Sequence, residues 1–110
     1  MSDYINSDYV NSKYIEVKKA LIKKAVKGKS TYYSELMEKF DIPRWWIGRI
    51  LFRVADSCLS NKEPIITALV EYKSGGIGAG YNELIKKYGA DRDYKKEQEK
   101  CFKYWKNKNR

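Results

Sequence analysis

The central segment of the chain, residues 30–60, reads STYYSELMEKFDIPRWWIGRILFRVADSCLS. Ser30 and Thr31 offer an N-cap, and Glu35 follows at about the spacing of a capping box, which predicts a short helix over 32–40. Asp41-Ile42-Pro43 then breaks the pattern as a turn, and a proline at this point favours the start of a new helix. The segment therefore predicts a short helix and a second, longer helix joined by a tight turn.

The longer helix is predicted over 44–60 and has two unlike faces. One narrow stripe at 100° per residue is apolar and predicts the buried side: Ile47, Ile50, Leu51, Val54 and Cys58. The opposite face carries aromatic and charged side chains, with Trp46 on its flank: Trp45, Arg49, Phe52, Arg53 and Asp56. Exposed Trp, Phe and Arg are typical of a binding surface. The alternative is that Trp45 and Phe52 pack beneath the aromatic-rich terminal segments, and both interpretations stay open here.

The segment before this pair of helices predicts an arm and a first helix. Residues 1–12 are predicted as a flexible N-terminal arm, because asparagine and serine interrupt any apolar pattern. From Lys13 onward apolar residues recur at mostly helical spacing, lysines cover the other face, and Gly28 closes the stretch as a C-terminal cap.

The segment after the long helix predicts a strand, a loop and two helices. The β-branched run at 65–72 predicts a strand, and the glycine-rich loop at 74–80 predicts a hairpin or wing turn. Helices are predicted at 81–88 and 92–105, the latter with an inward stripe that includes Cys101 and Trp105. Residues 106–110 are predicted as a basic tail.

This order of elements predicts the fold class. Helix, short helix, turn, long helix, strand and glycine loop together match a winged helix-turn-helix. We expect one domain over 13–105, mostly α-helical with a small β hairpin, and with an extra C-terminal helix. In that plan the long helix docks on DNA through its exposed residues.

Charge is concentrated towards the two ends of the chain. The 110 residues carry a formal net charge of +9, from 23 Lys and Arg against 14 Asp and Glu. Residues 13–29 hold seven lysines against Glu16, residues 94–110 hold seven bases against Glu97 and Glu99, and the segment between them is balanced. Basic segments around a neutral centre suit a polyanion such as nucleic acid. Lysine-rich helices are also common as plain solvated surfaces.

Composition excludes several kinds of chemistry. The chain has no histidine, so it has no Ser-His-Asp or Cys-His machinery, and its two cysteines are too few for a structural zinc site. Scattered carboxylates, among them Glu35, Glu38, Asp41 and Glu83, lack the spacing of a nuclease metal site. We expect a non-enzymatic protein without metal or cofactor. The polar start and the lack of a long apolar run predict a cytoplasmic, non-membrane protein with reduced cysteines and Cys58 buried.

Several short motifs resemble the DNA-binding domain of alkylguanine-DNA alkyltransferases and alkyltransferase-like proteins. They are GKSTYYSEL at 28–36, IP at 42–43, IGRIL at 47–51, Pro64, and LV at 69–70, and the similarity spans roughly residues 22–89. The resemblance implies a DNA-binding winged helix-turn-helix that contacts the minor groove and flips a base. It also implies that Tyr33 lies near the phosphate of the flipped nucleotide. In that family an arginine fills the gap that the flipped base leaves in the base stack. By position this arginine corresponds to Trp45 here, and Arg44 lies one position away.

The alkyl-accepting motif of that family, Pro-Cys-His-Arg, is absent. The corresponding residues here are Pro64-Ile65-Ile66-Thr67, and the aromatic-His-Arg replacement of the alkyltransferase-like proteins is missing as well. Without the nucleophilic cysteine and its histidine, alkyl transfer is excluded on chemical grounds. What remains of the resemblance is the scaffold and a helix that is expected to face DNA.

Two functions follow from these observations. The leading one is a small DNA-binding protein whose contact residues are Lys29, Tyr33, Arg44, Trp45, Arg49 and Arg53. The alternative is a small inhibitor or adaptor, of the kind encoded by phages or mobile elements, that uses the same aromatic and arginine face on a protein partner.

Overall fold

A computed structural model describes residues 8–76 and 81–108 of the chain. It is mostly helical with a small β component, which confirms that part of the predicted fold class. The elements, in chain order, are α1 Asp8–Val26, β1 Thr31–Tyr32, α2 Tyr33–Lys39, α3 Arg44–Ser60, a 3-10 helix Ile66–Leu69, β2 Val70–Glu71, α4 Tyr81–Tyr88 and α5 Tyr94–Lys108.

The core lies where α1 and α3 pack against each other. Val17 and Leu21 of α1 and Ile50 and Val54 of α3 are fully buried. The apolar stripe predicted for α3 is buried along its whole length, so that prediction is confirmed. The 3-10 helix and α5 close another side of this core.

Proline and glycine mark several element boundaries where the sequence predicts them. Helix α3 begins directly after Pro43 and ends at Ser60, which are the predicted bounds. Gly28 and Gly89 follow α1 and α4 with φ of 70° and 72°, a left-handed conformation that glycine adopts without strain.

The predicted arm and tail are partly helical. Helix α1 begins at Asp8 instead of Lys13, because Val10 lies two helical turns before Val17 and is fully buried with it. Ile15 is one of the apolar residues whose spacing from Lys13 onward predicts the buried side of this helix, but it is 49% exposed. At the other end, α5 continues to Lys108. Residues 1–7, in the predicted arm, and 109–110, in the predicted tail, lie outside the described residues.

The predicted strand and hairpin require correction. Residues 66–69 form the 3-10 helix and only Val70 and Glu71 form a strand, because the run is buried on every side instead of alternating between core and solvent. The two short strands pair in parallel, Thr31 with Val70 and Tyr32 with Glu71, so they do not form a hairpin. Gly75 and Gly76 turn the chain sharply after β2, and residues 77–80 of the predicted glycine loop lie outside the described residues.

The predicted cap of α2 also differs. The helix begins at Tyr33, and Tyr32 at its N-cap makes no side-chain capping bond. Thr31 belongs to β1, and its hydroxyl donates to the carboxylate of Glu35. The residues of the predicted capping box therefore contact each other, but no side chain at the N-cap bonds to the helix N-terminus.

Helix α5 is attached to the 3-10 helix by buried polar side chains. The Glu97 carboxylate accepts the backbone N–H groups of Ile65 and Asp91, each at 2.8 Å. The amide of Gln98 donates to the Ala68 carbonyl at 2.8 Å and to Glu71 at 2.6 Å. Because these groups are buried, their hydrogen bonds fix the position of α5 on the core. No helix in the two described segments is long and apolar enough to cross a membrane.

Candidate nucleic-acid interface

The turn before α3 places the start of this helix at the surface. The Ile42 N–H donates to the Met37 carbonyl at 2.9 Å, and Asp41 adopts a left-handed conformation with φ of 53°. The ammonium of Lys13 donates to the Phe40 carbonyl at 3.0 Å and so fastens the turn to α1. These contacts hold the first turn of α3 in a defined position.

The two neighbouring tryptophans of α3 lie in different environments. Trp46 is half-buried and packs edge-on against Tyr9 of α1, with ring centroids 4.9 Å apart. Trp45 is 76% exposed, the most exposed of the large apolar side chains in the described residues. An exposed indole of this size is seldom required by a fold, and it is a common anchor in binding surfaces.

Arg44, Gly48 and Arg49 surround Trp45 on the first two turns of α3. Arg44 and Gly48 are exposed. Arg49 is half-buried, and its guanidinium lies 4.8 Å from the centre of the Trp46 ring. We call these three residues together with Trp45 the Trp45 face. It combines an aromatic ring with two permanent positive charges.

Gly48 leaves open space on the Trp45 face. A Cβ added there would meet no atom within 4 Å, so packing does not require a glycine at this position. Glycine in the middle of a helix costs about 1 kcal/mol relative to alanine. It also allows a partner to approach the helix backbone closely.

The other half of the predicted face packs inside the molecule. All three guanidinium nitrogens of Arg53 have internal partners: Nε donates to Asn11 at 3.3 Å, and the other two contact Tyr14 at 3.2 Å and Asp56 at 3.8 Å. Phe52 is half-buried, with its ring 6.5 Å from that of Tyr88. The two interpretations left open by the sequence, an exposed face or an internally packed one, therefore apply to different residues. Trp45 is exposed, whereas Phe52 and Arg53 pack.

Tyr33 is the first residue of α2 and Lys29 lies before this helix, and neither belongs to the Trp45 face. Tyr33 is half-buried, and its ring centroid is 4.8 Å from that of Tyr72, which is 48% exposed. Lys29 is exposed in the connection between α1 and β1. The seven residues of α2, about 10 Å of helix, separate Tyr33 from the turn that leads to Arg44.

Tyr72 is a candidate contact residue that the sequence analysis did not identify. Its position beside Tyr33 depends on the parallel pairing of Tyr32 with Glu71, the residue before Tyr72. Local sequence patterns carry no signal for a pairing between segments about forty residues apart, so the tyrosine pair becomes visible only in three dimensions.

The segment that corresponds to the alkyl-accepting motif is buried. Ile65, Ile66 and Thr67 are at most 4% exposed, and the Thr67 hydroxyl has no hydrogen-bond partner within the described residues. Burial raises the pKa of the Cys58 thiol to about 11, and it also raises the pKa of the Cys101 thiol. Both thiols are therefore poor nucleophiles near neutral pH.

Within residues 8–76 and 81–108, no group of three or more His, Cys, Asp or Glu side chains is placed to hold a metal ion. Glu97, the most buried carboxylate of the described part, is taken up by two backbone N–H groups.

Comparison with known proteins adds no relative to these observations. No family model, curated protein or solved structure matches the chain. The resemblance to alkyltransferases stays an expectation from the quoted motifs.

Proposed function

We propose that the protein is a small, non-enzymatic DNA-binding protein that contacts DNA through the Trp45 face. The observation that carries this proposal is the 76% exposure of Trp45 at the start of α3, beside the exposed Arg44 and the half-buried Arg49. The net charge of +9 adds long-range attraction to a polyanion.

Each residue of the Trp45 face has a distinct role in this proposal. The indole of Trp45 stacks on a base or enters between two bases, an interaction of about 1–3 kcal/mol. Arg44 and Arg49 contact phosphates or base edges. Gly48 permits the helix backbone to lie close to the DNA, which accounts for a glycine that packing does not require.

Residues outside this face support binding in two ways. Lys29 is exposed and supplies a phosphate contact, and Tyr33 lies beside the exposed ring of Tyr72, where a second phosphate contact is available. Arg53 acts mainly by position, because its contacts to Asn11 and Tyr14 join α3 to α1. A direct contact between Arg53 and DNA stays a prediction.

The test compares variants on the same helix by the anisotropy of a labelled duplex. Trp45→Ala and Arg49→Ala should each weaken binding by about tenfold, the effect of roughly 1.4 kcal/mol. Leu59→Ala is the matched control, since Leu59 is a large apolar side chain of α3 that is 49% exposed near the other end of the helix. Equal affinities for all three variants and the wild type would contradict the proposal that DNA binds at the Trp45 face.

A protein-binding adaptor is the second candidate. The same exposure of Trp45 beside arginine supports it, because Trp and Arg dominate the energetics of protein interfaces. The salt dependence of the binding affinity distinguishes DNA binding from protein binding. Binding to DNA falls steeply as salt rises, whereas an interface centred on a buried indole responds weakly. Either role fits the cytoplasmic location expected from the sequence.

A further inference from the structure

The ends of helices α1 and α5 bring four lysines together around Gly28. Lys27 and Lys29 flank this glycine, and Lys23 lies one turn before Lys27. The fourth lysine, Lys106, comes from α5, and a Cβ at Gly28 would lie 3.2 Å from its ammonium group. All four residues are exposed. We call Lys23, Lys27, Lys29 and Lys106 the Gly28 cluster.

The charge of the Gly28 cluster is not neutralised within the described part of the chain. None of the four lysines forms an ion pair with a carboxylate of residues 8–76 and 81–108. The neighbouring pair of Lys24 with Glu35, at 3.4 Å, leaves the charge of the cluster unchanged. Four ammonium groups held around one point repel one another, and the phosphates of a nucleic acid relieve this repulsion. The cluster therefore has the charge to bind a polyanion.

The Gly28 cluster and the Trp45 face lie at opposite ends of α1. The start of α3 is fixed at the first end by the Trp46 ring, which packs on Tyr9 with ring centroids 4.9 Å apart. Lys27 follows Tyr9 by 18 residues, which corresponds to five helical turns and about 27 Å. Because five full turns return to the same side of a helix, Tyr9 and Lys27 lie on one face of α1.

We propose that the Gly28 cluster is a second contact for the same DNA duplex that binds at the Trp45 face. This inference rests on the proposed function, DNA binding at the Trp45 face. Successive nucleotides of a strand are about 3.4 Å apart, so the distance of about 27 Å from Tyr9 to Lys27 corresponds to about eight base pairs. The lysines contact phosphates, which carry no sequence information directly. The second contact therefore sets a minimum duplex length and adds no sequence preference.

Glu16 lies between the two contacts on the same face of α1. It follows Tyr9 by seven residues and precedes Lys23 by seven, which is about two turns in each direction, and it is exposed. A duplex that spans both contacts passes this carboxylate, whose charge repels the phosphates. Removal of the Glu16 charge should therefore strengthen the binding of a long duplex, whereas removal of a lysine from the cluster should weaken it.

The test compares hairpin duplexes that share one loop and have stems of about 6 and about 16 base pairs, or roughly 20 and 54 Å. On the long stem, Lys27→Gln should weaken binding by about fivefold and reduce the slope of log affinity against log salt by about 0.9, because one phosphate contact is lost. On the short stem it should bind as wild type, since that stem is too short to reach from the Trp45 face to the cluster. Glu16→Gln should strengthen binding to the long stem by a similar factor.

Lys62→Gln is the matched control, because it removes the same charge from an exposed position on the other side of α1. Lys62 precedes Glu63, whose carboxylate pairs with Lys18 of α1 at 2.7 Å. Lys18 follows Tyr9 by nine residues, or two and a half turns, and so lies on the opposite face of the helix. This variant should bind both stems as wild type.

Equal losses for Lys27→Gln and Lys62→Gln on the long stem would reduce the effect to general surface charge and overturn the proposal. Equal losses for Lys27→Gln on both stems would overturn it as well. If Lys27→Gln keeps its affinity but no longer links two duplexes in one complex, the cluster binds a second duplex and the shared-duplex proposal is wrong.

The short stem separates this proposal from the proposed function. Trp45→Ala should weaken binding to the short stem, which contacts the Trp45 face alone. If Trp45→Ala binds this stem as wild type does, the proposed function fails, and the shared duplex fails with it. A normal loss for Trp45→Ala together with unchanged binding of Lys27→Gln to the long stem would overturn only the contact at the Gly28 cluster.

Discussion

The guanidinium of Arg53 lies over the ring of Tyr14, 4.0 Å from its centre, and donates to the Tyr14 hydroxyl at 3.2 Å. This pair joins the middle of α3 to the first half of α1, the two helices that form the core. The sequence places Arg53 on the binding face, but its contacts also join two core helices. Its contribution to the stability of the protein can be measured.

Arg53→Ala should lower the free energy of unfolding by about 1–2 kcal/mol, because it removes a partly desolvated cation–π contact and two hydrogen bonds. Arg44→Ala, at an exposed position on the same helix, should change it by less than about 0.5 kcal/mol. Urea unfolding measures both values. Equal stabilities of the two variants would show that the Arg53–Tyr14 contact contributes nothing.

Gly48→Ala should affect stability and DNA binding in opposite directions. Alanine should stabilise α3 by about 0.5–1 kcal/mol, since a Cβ at this position meets no atom within 4 Å. The added methyl group should weaken duplex binding if DNA approaches the helix backbone here. Ser60→Ala, at an exposed position at the far end of α3, controls for the helix itself and should bind DNA as wild type. A stabilised Gly48→Ala protein with unchanged affinity would contradict close approach at this residue.

Glu97→Ala should be among the most destabilising single changes at a charged residue. It leaves the backbone N–H groups of Ile65 and Asp91 without their acceptor, at a cost of about 2–4 kcal/mol. Glu99→Ala, two positions away and exposed, is the matched control and should be nearly neutral. Comparable thermal stabilities for the two variants would refute the role of Glu97 in holding α5.

The cysteines should be unreactive in the native protein. Burial raises the pKa of Cys58 from 9.0 to about 11, so a thiol reagent at pH 8 should modify it only after unfolding. The Cys58 pKa is higher in the folded state than in the unfolded state. The contribution of this thiol to the free energy of unfolding is therefore fully present below pH 9.0 and is lost as the pH rises towards about 11. Rapid modification of the native protein, at the rate seen in denaturant, would contradict this burial.

The predictable parts of the fold are those with a local signal. Pro43 and the apolar spacing from Ile47 to Cys58 define α3, and Gly89 marks the end of α4. The start of α1 lacks such a signal, because Asn11 and Ser12 interrupt the apolar pattern between the buried Val10 and the rest of the helix.

The remaining features depend on contacts between distant segments. The run from Ile65 to Glu71 has the composition of a strand, but residues 66–69 form a 3-10 helix, because α5 covers the run and Glu97 and Gln98 bind its backbone. In the candidate site, the helical pattern alone places Trp45 on the face of α3 opposite the apolar stripe. The internal contacts of Arg53, in contrast, depend on where α1 lies.

The most direct measurement is the fluorescence of Trp45 during titration with a short duplex and with its single strand. The chain has three tryptophans, so a variant with Trp46→Phe and Trp105→Phe leaves Trp45 as the reporter. Its fold and its affinity for a labelled duplex must first match the wild type.

Duplex DNA should change the Trp45 emission saturably, and the affinity should fall at least tenfold between about 50 and 200 mM salt. A stronger response to the single strand would indicate stacking on open bases. Unchanged emission at DNA concentrations that saturate the labelled-duplex assay, or no DNA binding at either salt concentration, would contradict the claim that the Trp45 face binds DNA.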